Sequence, residues 1–493
     1  MAQPRGNGSK ATSKSVKKAP AKAASVKKAA TPTAKRSATS PAKPRKTVAT
    51  AVATGVPLEF EPTIAAVSEP ELPRDEGYLR LLLLLLISAA FFEGYDSSIL
   101  ALLLPNIQST FHVSEAVLGL TRIPIELGLF VAFFVTRLSD RVGRRPLLLW
   151  SVVGYTLFTA LTAVSWNIWS FAFFQFGSRI FLGAEYAVGV TMIVEEFPAA
   201  RRGRALGTLL TFAALGTIVV GVLLGAGLQD GPLEWRAFYL IGLLPLLALS
   251  FYRRRLRETR RFLEEKAKRD AGQSVEKVPF LEPWKPMYRR NLVLVGLIHM
   301  LRSIPLFGST AWWAFYAERE RGFSSGEVAV YIIAAYGIGC VGYYVCGRSM
   351  ERWGRRPTAM VYFAGGIFFS IVLFQVSDKV VSFFGLMLAV FFGLGMGPVM
   401  SSFATELFPT EIRGQAAAWI RNWFEIAGYV FGPALVGILG DHSTGAIGNI
   451  GDTVTLLMVL QIPTLWLVWR YMPETKGMEL EDIAEREVAV VTT

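Results

Sequence analysis

Acidic residues are missing from the first 50 positions of this 493-residue chain, and histidine and cysteine are nearly missing from all of it. The three histidines stand far apart, at 112, 299 and 442, and the two cysteines, Cys340 and Cys346, fall in one apolar run. Spaced as they are, the cysteines cannot face each other squarely on a helix. Neither a structural disulfide nor a thiol metal site is expected, and the scattered histidines leave no zinc site. A phosphate-cradling Gly-x-x-x-x-Gly-Lys-Ser/Thr loop is also absent, which excludes ATP as the driver. No enzyme signature and no cofactor site are legible. Charge is scarce: 18% of residues are charged against 52% hydrophobic, with a mean hydropathy of +0.40. What remains is a series of apolar runs, each long enough to cross a hydrocarbon core that takes roughly 20 residues of helix.

The first 50 residues form a regime of their own. They hold thirteen Lys and Arg, no Asp or Glu, and otherwise mostly Ala, Pro, Ser, Thr and Gly. Such a composition buries no core and is expected to stay disordered. It lacks the continuous apolar stretch of a secretory signal, and an acidic run from Glu59 to Glu76 separates it from the first span. A solvated cytoplasmic extension attracted to anionic lipid is the simpler reading. Nucleic-acid binding is disfavoured, because no aromatic interleaving or folded reader accompanies the lysines.

Two motifs occur twice at one offset. Arg137-Leu-Ser-Asp140-Arg141-Val-Gly143-Arg144-Arg145-Pro146 returns as Arg348-Ser-Met-Glu351-Arg352-Trp-Gly354-Arg355-Arg356-Pro357, with the prolines 211 residues apart (357 − 146). Glu195-Glu196-Phe197-Pro198 with Arg202-Gly203 returns as Glu406-Leu407-Phe408-Pro409 with Arg413-Gly414, again 211 apart (409 − 198). The chain therefore reads as one unit duplicated in the same direction.

Hydropathy gives about twelve spans, near 79–104, 116–136, 146–165, 167–196, 205–227 and 235–252, then 291–316, 327–347, 357–376, 380–405, 415–439 and 453–471. The expected fold is an all-α membrane protein of twelve transmembrane helices in two parallel-repeat six-helix bundles. The expected divisions are a cationic tail and acidic linker (1–77), a first bundle (78–252), a basic central loop (253–290), a second bundle (291–471) and a C-terminal tail (472–493). Loops 137–145, 201–204, 253–289 and 348–356 are loaded with Arg and Lys, whereas 105–115, 166–167, 228–234 and 440–452 carry none. By the positive-inside rule the first group and both termini are cytoplasmic, in a multi-pass protein of the plasma (inner) membrane.

Two six-helix bundles with a Gly-Arg-Arg-Pro turn after the second helix of each resemble the major facilitator superfamily. Within it the chain is similar to proton-linked metabolite, aromatic-acid and sialate symporters and to sugar porters. The resemblance rests on Glu93-Gly94-Tyr95-Asp96, Arg179-Ile-Phe-Leu-Gly183-Ala184-Glu185, Glu195-Glu196-Phe197-Pro198 with Arg202-Gly203, Trp235-Arg236 and Pro473-Glu474-Thr475-Lys476-Gly477. Two departures stand out: Arg137 occupies the position where the family's loop motif begins with glycine, and Arg257-Glu258-Thr259 replaces Pro-Glu-Ser/Thr after the sixth helix. By resemblance, Asp140, Arg144, Glu195 and Arg202, with their counterparts Glu351, Arg355, Glu406 and Arg413, form latches on the cytoplasmic side. Carboxylates beside guanidinium groups at helix ends support that reading. A purely topogenic role for the arginines is the alternative.

Ionisable groups inside spans are the places to seek function, since each costs roughly 2.5–3.5 kcal/mol at the bilayer centre unless paired or hydrated. Glu93 and Asp96 share a helix face, and two carboxylates in a low-dielectric site do not both ionise easily, which suits proton carriage. The resemblance makes Asp96 the proton-loading acid and Arg179 its counter-ion; a permanent Asp96–Arg179 bridge that only fixes packing is the alternative. Arg122 with Glu126, and Arg421 with Glu425, are spaced for mutual neutralisation. Candidates to touch a solute are Arg302, whose planar fork suits a carboxylate, then Glu185, Arg421 and Trp423. His299 shares a face with Arg302 and reads as packing or relay. Trp312, Trp313, Phe315 and Tyr316 read as interfacial anchors.

These features point to a secondary active transporter importing a small organic solute with protons by alternating access, a proton gradient being the driving force. Buried arginines favour an organic acid. A sugar or polyol carrier, a facilitator without proton coupling, and a sensor or scaffold acting through the basic tail are the alternatives.

Overall fold

The computed structural model describes residues 75–273 and 279–478. The cationic tail and most of the acidic linker, with the last part of the C-terminal tail, lie outside the described residues. Long helices run over Glu76–Leu102 (α1), Glu115–Val142 (α2), Arg144–Ala163 (α3), Ile168–Glu196 (α4), Ala199–Gly225 (α5), Arg236–Tyr252 (α6), Pro286–Glu320 (α7), Ser325–Trp353 (α8), Arg355–Gln375 (α9), Lys379–Glu406 (α10), Thr410–Gly440 (α11) and Ile450–Tyr471 (α12). Eleven of them contain a segment long and apolar enough to cross a membrane. The remaining one, α6, is 17 residues long and carries only Arg236 as a charge. Among the described residues there is no strand. This is an all-helical, multi-pass membrane protein.

Helix starts follow local chemistry. Ser114 caps α2 by accepting from Val117 N–H, Asn167 and Ser170 form a reciprocal box at α4, and Ser324 with Glu327 does the same at α8. The two Gly-Arg-Arg-Pro turns are capped differently. Gly143 and Gly354 have φ of 112° and 101°, a region side chains rarely enter, and each precedes a helix whose first N–H groups receive a distant carboxylate. Glu258 accepts from Arg144 N–H (2.9 Å) and Arg145 N–H (3.2 Å), and Glu474 accepts from Arg355 N–H (2.9 Å) and Arg356 N–H (3.1 Å). A Cβ on Gly143 would stand 2.4 Å from Glu258, and one on Gly354 2.4 Å from Glu474. Glycine is needed there both for φ and for the approach of an anion to a helix N-terminus. Glu258 and Glu474 are thus structural counterparts in the two halves, although 216 residues separate them rather than 211 (474 − 258).

Packing repeats with the sequence. In the first half α1 lies on α5, α2 on α4, α3 on α4 and α3 on α6; adding six to each number gives α7 on α11, α8 on α10, α9 on α10 and α9 on α12, all of which are observed. The halves meet through α2 with α11 and α5 with α8, a pair of contacts that the same renumbering interchanges. Small residues set the closest approaches. Cβ atoms added at Gly94 or Gly216 would lie 1.9 Å from Ala213 O and 2.1 Å from Phe91 O, so the α1 and α5 backbones touch beside the Glu93–Asp96 segment.

One expectation fails here. Trp312, Trp313, Phe315 and Tyr316 are 0–5% exposed, not interfacial. Trp312 Nε1–H donates to Pro433 O (2.8 Å) and Tyr316 O–H to Phe374 O (2.5 Å), so the polar tips find buried carbonyls and the rings fill the core where α7 meets its neighbours.

Candidate functional site

Charges buried inside the helices collect in two clusters. The first is held by α1, α2 and α4. A Cβ at Gly128 would stand 2.7 Å from Arg179 Cβ, so α2 and α4 are in close contact where Arg179 emerges. Its Nη1 donates to Ser97 Oγ (2.8 Å) and its Nη2 lies 3.6 Å from Glu126 Oε1, which is also 3.9 Å from Arg122 Nη1. Glu126 therefore neutralises two arginines, which spacing along one helix does not reveal. Asp96, 1% exposed, has no hydrogen-bond partner at either carboxylate oxygen and no ion-pair partner. The counter-ion that the resemblance assigned to Asp96 is in this conformation engaged elsewhere. The Asp96 segment is seated firmly: Tyr95 O–H donates to Phe238 O (2.8 Å), and Ser98 O–H to Thr217 Oγ1 (2.7 Å). Glu93, half-buried, makes no ion pair and lies within range of the charges of Arg179 and Arg421.

The second cluster is built on α7 and α11. Helix α11 widens into a π turn over Ile420–Glu425, the kind of local distortion that frequently marks functional sites. That turn carries Arg421, Trp423 and Glu425. The expected Arg421–Glu425 pair does not form. Glu425 is instead met from α7, by Arg302 Nη1 at 3.7 Å and His299 Nδ1 at 3.5 Å. Arg302 Nη2 also donates to Gly393 O (3.0 Å), and His299 Nε2 lies 3.3 Å from Met400 O. Arg302 is thus already supplied with a carboxylate, whereas Arg421 has none within ion-pair distance. Arg421 is exposed, and the Tyr186 hydroxyl of α4 lies within hydrogen-bonding reach of it. Trp423 is 39% exposed and packs edge-to-face on Phe130 of α2 at 4.9 Å and against Trp419 at 4.6 Å.

Glu185 is placed away from both clusters. It is 2% exposed and bridges to the fully buried Arg253 (2.6 Å), which also donates to Leu85 O (3.2 Å). Its carboxylate joins α4 to the end of α6, which leaves it unavailable to line a cavity. No feature of the sequence pairs Arg253 with it.

On the arginine-rich face, Arg144 reaches Glu195 (2.9 Å) and Asp140 (3.3 Å), and Arg355 reaches Glu406 (3.1 Å). Glu351, exposed, has no ion pair, so the second half lacks the equivalent of the Asp140 contact. Arg413 donates to the carbonyls of Thr405 (3.0 Å) and Phe408 (3.3 Å) rather than to an acid. The Arg202 side chain lies outside the described residues.

The opposite face is shut between the halves. Added Cβ atoms at Gly119 would stand 2.9 Å from Gly437, and at Gly225 3.1 Å from Ala329. Asp441 Oδ2 accepts from Ala116 N–H (2.9 Å), so the second half caps α2 of the first, and Arg319 donates to Pro105 O (3.0 Å). Burial opposes ionisation of Asp441, but hydrogen bonds from Ser443, Ala116 and Thr444 hold its carboxyl well below the usual carboxylate range. At the arginine-rich end of α5 and α8 a Cβ on Gly207 or Gly347 would meet nothing within 4 Å. Arg137 stacks on Phe280 there at 4.1 Å.

Residues 86–433 match the family profile described as "Major Facilitator Superfamily". The chain belongs to the Major Facilitator Superfamily. Members of this superfamily are transporters rather than enzymes, and this one is a secondary transporter that binds a small solute. The "Probable 4-methylmuconolactone transporter" of Cupriavidus pinatubonensis is 25% identical over 403 residues, covering 80% of this chain and 90% of that protein. The cis,cis-muconate transport protein of Acinetobacter baylyi is 24% identical over 383 residues, covering 77% and 92%. Among solved structures, the inward-open xylose transporter XylE from E. coli superposes with a TM-score of 0.65 at 18% identity, covering 83% of this chain and 100% of that one. At that identity the likeness concerns the facilitator fold.

Proposed function

We propose that this facilitator is a proton-coupled symporter taking up a small organic carboxylate by alternating access, with Asp96 as the principal proton carrier. The observation that carries the reading is the Asp96 carboxyl: inside a span, 1% exposed, with neither oxygen given a donor. An ionised carboxylate left so costs several kcal/mol, and a bound proton removes that cost. Arg179, held on Glu126 and Ser97, is close enough to stabilise the anion when the proton leaves. Glu93, within range of the charges of both Arg179 and Arg421, is the second candidate for proton binding.

The solute's carboxylate is assigned to Arg421, with the Tyr186 hydroxyl as an additional donor and Trp423 and Phe130 as aromatic walls. A guanidinium without an internal carboxylate, exposed between the halves, attracts an anion through two parallel hydrogen bonds. The relatives named for muconate and a muconolactone support an acid over a sugar. The charge asymmetry of the loops supports cytoplasmic termini in the inner membrane. With that orientation the conformation is closed outside, and the pairs Asp140–Arg144–Glu195 and Arg355–Glu406 are intact on the cytoplasmic side; each lies within one half, so we assign them to bracing the helices of that half rather than to latching the two halves together. Arg413 is assigned to support of the turn after α10, through the carbonyls of Thr405 and Phe408.

Counterflow in proteoliposomes with benzoate, cis,cis-muconate and D-xylose tests the solute class. Exchange of a carboxylate, lost in Arg421→Gln, supports the reading. Exchange of D-xylose alone, untouched by that substitution, contradicts it.

A further inference from the structure

Arg302 lies where a solute's carboxylate is expected, and it is occupied. Both oxygens of Glu425 are held from α7, Oε1 by Arg302 (3.7 Å) and Oε2 by His299 (3.5 Å). Arg302 is only 7% exposed and is tied further to Gly393 O, which fixes its fork toward the interior of the second half. Glu425 stands four residues after Arg421, a spacing at which the two pair across one helical turn. Each carries the other's charge in its surroundings, yet no ion pair joins them. Arg302 and His299 on α7 together outcompete the guanidinium on α11.

We infer that Arg302 and His299 are positioning residues: they draw Glu425 away from Arg421 and so keep the Arg421 guanidinium open to the solute. The inference rests on the assignment of the solute carboxylate to Arg421. Without the clamp, Glu425 would turn to the guanidinium one turn back, and a solute anion would have to displace an internal carboxylate already at high effective concentration. Arg302 would then matter for affinity without touching the solute. The same device explains why a site for an anion tolerates a glutamate on the turn that binds it: the negative charge is neutralised from the neighbouring helix.

A clamp and a direct contact differ in one readout, rescue by removing the competitor. The full chain is reconstituted, and equilibrium binding of cis,cis-muconate and of benzoate is measured by scintillation proximity. Arg302→Gln should weaken binding about tenfold, the size of coupling typical for groups in one ionic network. Arg302→Lys, which keeps the charge, should stay within about threefold of wild type, and Arg302→Gln combined with Glu425→Gln should return to within about threefold of Glu425→Gln alone. A double variant as weak as Arg302→Gln overturns the inference, as does an unchanged affinity in Arg302→Gln. If neither probe binds, or Arg421→Gln binds as well as wild type, the assignment of Arg421 fails and the clamp falls with it.

Discussion

Arg179 Nη2 lies 3.6 Å from Glu126, and Asp96, on the neighbouring helix, is left with no partner at all. The arrangement separates two jobs that one salt bridge would merge. Glu126 balances the standing charge of Arg122 and Arg179, and in the proposed mechanism this leaves Asp96 to gain and lose a proton. Removing the Glu126 charge should therefore release Arg179 to Asp96. In Glu126→Gln, proton-driven uptake is expected to fall by about tenfold or more, while counterflow, which needs no net proton movement, declines much less. Initial rates of both, in the same proteoliposome preparation, check this.

Gly94 allows α1 to lie against α5. With a Cβ only 1.9 Å from Ala213 O, Gly94→Ala forces the backbones apart, an overpacking cost of about 1–3 kcal/mol or more. Cys340 and Cys346 are free, so a thiol-reactive fluorophore reports unfolding on heating. The midpoint should drop by several degrees, whereas Gly207→Ala, with nothing within 4 Å, should leave it unchanged or slightly raised.

Glu258 and Glu474 each cap a helix with a charge. Glu258→Ala and Glu474→Ala are each expected to cost about 1 kcal/mol, and the double substitution about the sum, because the two caps share no partner. The thermal midpoints of the three variants decide it.

Asp441 connects pH to closure of the far face. Its carboxyl is held below the ordinary value in the closed state, so its contribution is fully present above the ordinary carboxylate pKa of about 3.9 and is lost as the pH falls through the depressed value. From neutral pH down to about 4 the closed face should hold, since both states then keep the group ionised. Asp441→Asn should loosen it throughout that range. Labelling of a cysteine at position 121, in a background lacking Cys340 and Cys346, with an impermeant maleimide reads the opening. Faster labelling is expected in Asp441→Asn at pH 7.

Much of the fold is legible in the sequence because insertion into a bilayer demands long apolar helices, and duplication printed two motifs at one interval. The caps Glu258 and Glu474 are harder to match, since the loops before them differ in length and shift the interval by five residues. Within the site, the individual charges Asp96, Arg179, Arg302 and Arg421 stand out, because ionisable residues are rare in such segments. Their partners do not. Spacing along one helix suggests Arg421 with Glu425 and suits Arg122 with Glu126, but α7 and α4 supply competing cations whose approach depends on three-dimensional packing. Glu185 illustrates the same gap: its cation, Arg253, lies 68 residues away at the end of α6 (253 − 185). The π turn in α11 has no sequence signature either.

Proton coupling through Asp96 is tested most directly by external pH in lightly buffered proteoliposomes on adding benzoate or cis,cis-muconate, with wild type and Asp96→Asn side by side. Solute-triggered alkalinisation outside wild-type vesicles that disappears in Asp96→Asn, while counterflow persists, is the expected result. Equal solute entry in both, with no proton movement, would contradict the account and make the protein a facilitator in which Asp96 serves structure alone.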